Sequence, residues 1–536
     1  MSTRLRWIAA LASGISLAFA FAPYDIGILA WMSLALLIGA AIGVSPWRGF
    51  VYGWAHGMMF FGLSVPWIYT VMHVHGGMDP PLAGAVFFLL ILVLSVCPGL
   101  FAAGVAWCAR RSVARACVAA PFLWVATELV RQYELGLGFP WNLLGYAGAV
   151  HLGLLQLVTI TGIYGLSFVL AASNALVAWV LLTRTRTAWL SGIITGVVVL
   201  SAVLGGDQFV PVERPDHVAV LVQTNFPQSM SYPADWLDRH VGELDQLEAM
   251  SAEASKKTRG MVVWPECPAP FYWQDPRFVA LISRLALTTA NNVIAGVVNW
   301  RPGRGGQPLP YNEAVMVDPA GHKVFSYDKI ELVPFGEFIP WRKWLWFANT
   351  ITAEVGDFQR GSTYAVGELP GGRFSVFICY EAVIPDEIRQ FVKRGAGLLI
   401  NLSNDGWFGH SAALEQHLAQ ARVRAVENRR WLLRATNTGI TASVSPYGRI
   451  VAAIPPDRRT VLLAPYGFRE DMTIYTRFGD WLAYLSVVIS LWFLVYSWHL
   501  PEEEGELEGD EPDDGGDGAE AHGRPAVGIS GGRVPE

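Results

Sequence analysis

Three short segments each run an apolar strand into one reactive side chain: MVVWPE ends on Glu266, VFSYDK on Lys329 and FSVFIC on Cys379. Each signal alone is weak, since a cysteine after a strand is usually core and a lysine is usually solvated. Together they make a chemical set. A cysteine attacks as thiolate, and its ordinary pKa near 8.5 leaves little thiolate at neutral pH. It therefore needs a base, and Glu266 can act as one from a buried position. The tetrahedral intermediate carries an oxyanion, which the Lys329 ammonium and backbone N–H groups after the nucleophile can stabilise. Glu, Lys and Cys suffice for acyl transfer through a thioester.

Side chains at strand ends converge when the strands share a sheet edge. The sequence supplies such strands in 207–478: HVAVLVQTN, GMVVWPE, NNVIAGVV, EAVMVDPAGHKVFSYDK, FSVFICYE, GLLINLSND and TASVSPYGRIVAAI. DPAG and SPYG read as hairpin turns. Helical patterns at 235–257 and 411–430 lie between the runs, so an α/β domain with a mixed sheet is expected. RPGRGGQP at 301–308 lacks the GK[ST] of a phosphate loop and reads as a surface loop.

The rest of the chain is of another kind. Over 536 residues it is 52% hydrophobic, with 22 Trp and a mean hydropathy of +0.34, values that suggest a membrane protein. Seven apolar stretches fill the first 206 residues, at about 7–22, 26–44, 49–71, 81–107, 117–130, 154–182 and 188–206. An eighth lies at about 480–499. RLRW and AFA near the start resemble a signal peptide, but the apolar spans that follow favour a retained helix. Arg4, Arg6, Arg48, Arg110, Arg111, Arg115, Arg184 and Arg186 fall on one side of this arrangement and only Arg131 on the other. The positive-inside rule then puts the N-terminus in the cytoplasm and residues 207–478 outside. Glu128 sits within an apolar span with Arg131 one turn on, a costly charge with a partner in reach.

The net charge of −6 hides an uneven distribution. Residues 501–536 hold twelve acidic residues and two arginines, leaving a net +4 on the rest. That tail is expected to be disordered. No long basic block is present, so nucleic acid is not an expected partner. No zinc-type spacing occurs among the five cysteines, and no metal or cofactor is expected. Cys267, beside Glu266, reads as packing. His73 and His75 read as loop histidines.

The ordered set Glu266, Lys329 and Cys379, in VVWPE, YDKIELVPFGEFIP and ICYE, resembles the Glu-Lys-Cys triad of the nitrilase (carbon-nitrogen hydrolase) superfamily. NLSNDGWFG and RAVENRRWLLRATNTGITASVSPYGRI extend the likeness. With seven apolar stretches before it and one after, the chain resembles the apolipoprotein N-acyltransferase family over about residues 1–500. That resemblance implies a polytopic helical membrane domain of about eight helices joined to an αββα sandwich. The implied boundaries are 1–206 for seven helices, 207–478 for a periplasmic catalytic domain, 479–500 for the eighth helix and 501–536 for a cytoplasmic tail. It implies a multi-pass protein of the bacterial inner membrane. It implies transfer of an acyl chain from a phospholipid, typically phosphatidylethanolamine, through a Cys379 thioester. The acceptor is the α-amine of a diacylglyceryl-cysteine on an apolipoprotein, in the last step of lipoprotein maturation. By matching strings, Glu337 is a second carboxylate near the triad, the Tyr380 backbone N–H an oxyanion donor and Glu381 an organiser. Trp236 resembles a substrate-region tryptophan, and Trp407 with Phe408 a lipid-facing loop. GFPWNLLGY at 138–146 resembles a loop between spans. Two other readings remain open: a membrane-tethered amidase of the same superfamily, with water as acceptor, and a transporter or receptor with an outer ligand-binding domain. The latter leaves the triad strings unexplained.

Overall fold

Strands built for burial on both faces dominate the middle of the chain. In the computed structural model, which describes residues 1–133, 138–229, 232–258, 260–303, 305–340 and 358–499, twelve strands form two six-stranded sheets. The first sheet holds β1 (His217–Gln223), β2 (Met261–Val263), β3 (Asn292–Pro302), β4 (Pro308–Val317) and β5 (Lys323–Asp328), with β12 (Thr460–Tyr466) at its edge. Its order is β12-β1-β2-β3-β4-β5. The second holds β6 (Gly367–Leu369), β7 (Gly372–Ile378), β8 (Leu398–Ser403), β9 (Trp431–Thr436), β10 (Thr441–Val444) and β11 (Ile450–Ile454). Its order is β11-β10-β9-β8-β7-β6.

Alternation sorts the side chains. Ala219 and Leu221 of β1, and Met261 and Val263 of β2, join one core with Phe374, Val376 and Leu432 of the other sheet. Val220, Val222 and Val262 point the other way, against Leu244, Leu247, Phe278 and Ile282 of the helices Val241–Ser255 and Pro276–Thr289. The helices Pro385–Lys393 and Ala413–Asn428 contribute Phe391 and Ala421 to the core on the second sheet. Burial on both faces explains why these strands read as unbroken apolar runs. DPAG and SPYG turn β4 into β5 and β10 into β11, both antiparallel, and 301–308 joins β3 to β4.

The apolar stretches are helical, with more breaks than hydropathy reveals. Among the described residues five helices are long and apolar enough to cross a membrane: Pro80–Ala109, Val113–Tyr133, Ile163–Thr183, Arg186–Phe209 and Trp481–Trp498. Pro46–Ser64 and Trp67–His75 make a sixth if their 56° bend is one broken span. Pro66 sits at that break, where a ring without an N–H cannot continue the ladder. The stretch expected as one span at 154–182 is divided at Gly162 (φ 64°), leaving the short Leu152–Thr161 beside Ile163–Thr183. Thr3–Ala18 has 16 residues and Gly27–Ala41 is shorter than a span. The stretch expected at 117–130 is longer, Val113–Tyr133. The helices approach closely through small residues: a Cβ on Gly53 would lie 2.1 Å from the Pro98 carbonyl. The acidic tail falls outside the described residues.

The helix Ala413–Asn428 ties the sheets to the apolar helices. Gln416, buried, accepts from the indole N–H of Trp141 (2.7 Å) and of Trp67 (3.3 Å). Its amide donates to the carbonyls of Ala22 (2.9 Å) and Ser64 (3.0 Å). One side chain thus satisfies four groups from three apolar segments. Gln416→Leu leaves all four unpaired at nearly constant volume. We expect it to lower stability by about 3 kcal/mol, read as an earlier thermal unfolding midpoint in detergent. An unchanged midpoint would show that the four bonds contribute nothing.

Candidate active site

Parallel strands of both sheets end at one edge. β1, β2 and β3 run parallel, as do β7, β8 and β9. Beyond their C-terminal ends come Thr224 after β1, Glu266 after β2, Cys379 after β7, Asn404 and Asp405 after β8, and Asn437 after β9. Lys329 follows β5 directly. The convergence expected of strand-end side chains is therefore present.

Glu266, Lys329 and Glu337 form one buried cluster. The Lys329 ammonium lies 3.0 Å from Glu337 Oε1 and 3.4 Å from Glu266 Oε1. Asn312 Nδ2 donates to both carboxylates at 2.8 Å. The second oxygen of Glu266 accepts from the Asn404 N–H (2.8 Å), and that of Glu337 from the Val333 N–H (2.8 Å). Burial opposes the charge on Lys329, but Glu337 and then Glu266 more than offset it and hold its pKa above the ordinary lysine range. The site keeps a cation throughout the physiological range.

Cys379 opens a tight turn, Cys379–Val383, directly after β7. Its φ of 49° is left-handed, an uncommon conformation for a side-chain-bearing residue and one that surrounding structure must hold. Three groups hold it. Glu381, buried, accepts from the Ile378 N–H (2.6 Å), the Tyr327 hydroxyl (2.7 Å) and the Ile330 N–H (2.7 Å). Burial lifts its carboxyl to about 6 against the pull of these donors. The Tyr380 hydroxyl donates to the Gly138 carbonyl (2.8 Å). His417 Nε2 lies 3.1 Å from the Cys379 carbonyl. His417 Nδ1 lies 3.0 Å from Asp405 Oδ1 and 3.1 Å from Arg434 Nη2, so the ring is held between the Cys379 carbonyl and the Asp405–Arg434 pair. Burial and then the Arg434 charge lower the His417 pKa, with the Asp405 charge pulling the other way. Burial alone would raise Asp405. Arg434 at 2.6 Å and His417 at 3.0 Å more than offset it and hold its carboxyl below the usual range.

Burial and then the Glu266 charge push the Cys379 thiol well above its ordinary pKa, with Lys329 pulling the other way. The resting cysteine is thus a thiol, and any attack by its sulfur would require that proton to leave. Cys267 is also a free thiol. It donates to the Ala269 carbonyl (3.1 Å) and burial pushes it up to about 12, in keeping with packing.

The aromatic candidates divide. Phe408 packs between Trp67 (5.0 Å), Trp141 (5.8 Å) and His417 (5.8 Å), joining the apolar helices to the site's supporting histidine. Trp407 meets His75. Trp236 stacks on His240 at 4.0 Å and contacts Phe226, Tyr232 and Phe271, within the packing between the first sheet and its helices. Asn312, Asn404, Asp405, His417 and Arg434 are supporting residues that sequence reasoning missed. The only signal was position, for Asn404 and Asp405 follow the strand GLLINLS as Cys379 follows its own.

The Glu266 backbone is held by a close contact. Gly296 N–H donates to the Pro265 carbonyl (3.1 Å), and a Cβ on Gly296 would lie 2.6 Å from Glu266 Cα and 2.7 Å from the Cys267 nitrogen. Gly296→Ala must move Glu266. A displacement of about 1 Å at a reacting group costs roughly 100-fold in rate, so we expect that loss in turnover with the fold retained. Full activity in a folded variant would mean the strand end adapts without moving its carboxylate.

Comparison with known proteins turns on two halves found in one chain. The family model for the apolipoprotein N-acyltransferase N-terminal domain matches residues 13–176, and that for carbon-nitrogen hydrolase matches residues 231–466. The chain is 32% identical to the apolipoprotein N-acyltransferase of Geobacter metallireducens, covering 90% of this chain and 94% of the relative. It belongs to the apolipoprotein N-acyltransferase family. It is also 34% identical to the family member of Azotobacter vinelandii, covering 92% of this chain and 96% of that one. Among solved structures, an amidase from Nesterenkonia sp. covers 52% of the chain at 19% identity and a TM-score of 0.37. As in the carbon-nitrogen hydrolases, the second half of this family member is an α/β domain of two sheets.

Proposed function

We infer that this chain N-acylates the N-terminal diacylglyceryl-cysteine of apolipoproteins, taking the acyl group from a phospholipid through a thioester on Cys379. The observation that carries the reading is the meeting of the Glu266 carboxylate, the Lys329 ammonium and Cys379 at one sheet edge, beside apolar helices long enough to cross a membrane. In the first half-reaction Cys379 Sγ attacks the acyl carbonyl and Glu266 takes the thiol proton. Lys329, with the Tyr380 backbone N–H, stabilises the oxyanion. Collapse expels the lysophospholipid alkoxide, which recovers the proton from Glu266. In the second half-reaction the acceptor's α-amine attacks the thioester, Glu266 accepts the amine proton, and the departing thiolate regains it. Glu337 holds Lys329 in place, and Glu381 fixes the turn.

Phosphatidylethanolamine is the donor we favour. Trp407, Phe408 and the 138–146 segment lie on the route from the lipid, while Trp236 belongs to the packing behind the first sheet. The proposed boundaries are a membrane domain at 1–206, a catalytic domain at 207–478 and a last helix at 479–500, eight spans in all. The arginine bias puts the catalytic domain on the periplasmic face of the inner membrane.

The test is a reconstituted transfer. The purified chain receives phosphatidylethanolamine and a diacylglyceryl-cysteine peptide, and peptide mass is read. One added acyl group, absent when the peptide amine is acetylated beforehand, is expected. Release of free fatty acid with no acylated peptide would overturn the transferase reading in favour of hydrolysis.

A further inference from the structure

We propose that the membrane face farthest from the sheets binds one anionic phospholipid, its phosphate held by Arg111 and Arg115 and an acyl chain lying in the groove of Trp107, Leu494, Val495 and Trp498. The site lies where Pro80–Ala109 meets the helices Val113–Tyr133 and Trp481–Trp498. Arg131, whose guanidinium donates to the Trp141 carbonyl (2.9 Å), marks the end of Val113–Tyr133 nearest the sheets. Arg115 marks the other end, about 24 Å away at 1.5 Å per residue. A lipid here cannot present its ester to Cys379, so this is a site for a lipid that is not consumed. It does not depend on the acyl-transfer reading.

Two observations point to the ligand. The first is unpaired donors. Arg111 donates through Nε to the Ser497 carbonyl (2.8 Å), yet its Nη1 is buried without a partner, and so is Nη1 of Arg115. A buried guanidinium N–H left unpaired in an apolar setting is costly, and a phosphate oxygen is the acceptor it fits best. Among the described residues these three helices carry one carboxylate, Glu128, more than three turns away, so none of them offers the two arginines a nearby anion.

The second is the groove. It has a volume of about 480 Å³ and is lined by Trp107, Leu494, Val495 and Trp498. Trp107 and Trp498 face each other at 5.6 Å. Arg115 lies over the Tyr496 ring at 5.3 Å and Arg110 over Trp107 at 5.1 Å. Cations beside an apolar trough with two indoles at its rim complement an anionic lipid, headgroup and chain together.

Native mass spectrometry of the full chain, offered equal phosphatidylglycerol and phosphatidylethanolamine, tests this. Wild type is expected to retain one phosphatidylglycerol in preference. The R111Q/R115Q variant is expected to lose that preference by about tenfold, given the attraction each surface arginine exerts on an anionic lipid. R111K/R115K should keep part of it. Both variants should keep the wild-type thermal unfolding midpoint in detergent, which reports that they are folded. No preference in wild type, or an undiminished one in R111Q/R115Q, overturns the proposal.

Discussion

Cys379→Ala, incubated with phosphatidylethanolamine in detergent, gains no mass, while wild type gains one acyl group that neutral hydroxylamine removes. Turnover falls by a factor on the order of 10⁴ or more, because no other group can carry the covalent intermediate. Cys267 will not substitute. It is one residue from the base, but burial keeps it a thiol and its hydrogen goes to the Ala269 carbonyl. The adduct therefore reports Cys379 alone, and the mutant should fold normally, since the change removes one small buried atom. An adduct that persists in Cys379→Ala would move the nucleophile elsewhere. No adduct in active wild type would remove the covalent lipid step and turn attention to small-amide hydrolysis.

Lys329→Met carries the second largest effect. The ammonium lies between two carboxylates that also share Asn312. Methionine keeps the length of the side chain and removes the charge. Two losses follow. The oxyanion loses its cation, a stabilisation worth about 10²–10³ in rate. Glu266 and Glu337 are left facing each other with only the Asn312 amide between them, so the proposed base is less firmly held where the thiol proton must go. We expect turnover to fall by roughly 10³-fold, with thermal stability also reduced because buried like charges have lost their counterion. Single-turnover acylation separates the effects: slow thioester formation in a folded chain supports the assigned role. Normal acylation with slow transfer to the amine would show that the lysine serves the second half-reaction only.

Much of the site was legible because of where residues stand relative to strands. Glu266, Lys329 and Cys379 each end an apolar run, and parallel strand ends meet at one edge. Glu337 could be found only through its string, VPFGEFIP, which resembles the family's second carboxylate position. The supports were not legible. His417 occupies an ordinary-looking helical pattern, and only the packing of that helix against the nucleophile turn reveals that it donates to the Cys379 carbonyl. Asn312 sits in the middle of a strand, where a polar residue usually means a solvated face. Arg434 is buried in another strand, intelligible only once Asp405 is seen beside it. The left-handed backbone of Cys379 has no sequence signature, for no glycine or asparagine marks it. In the helical part hydropathy located the segments but not their breaks, since it averages over Pro66 and Gly162 as if they were apolar neighbours.

The helix Ala413–Asn428 carries Gln416 and His417 side by side, one bonded to the apolar helices and the other to the nucleophile's carbonyl. Tyr380, next to the nucleophile, anchors to Gly138. Soluble expression of the two-sheet half would cut the attachments made by Gln416 and Tyr380. It would strand a glutamine amide and a tyrosine hydroxyl at a newly wetted, largely aromatic surface and loosen the turn that holds the sulfur. The enzyme is therefore not a portable catalyst bolted to an anchor. Its working unit includes the apolar helices as well as the sheets, and attempts at dissection, domain swapping or soluble screening should begin from that inseparability.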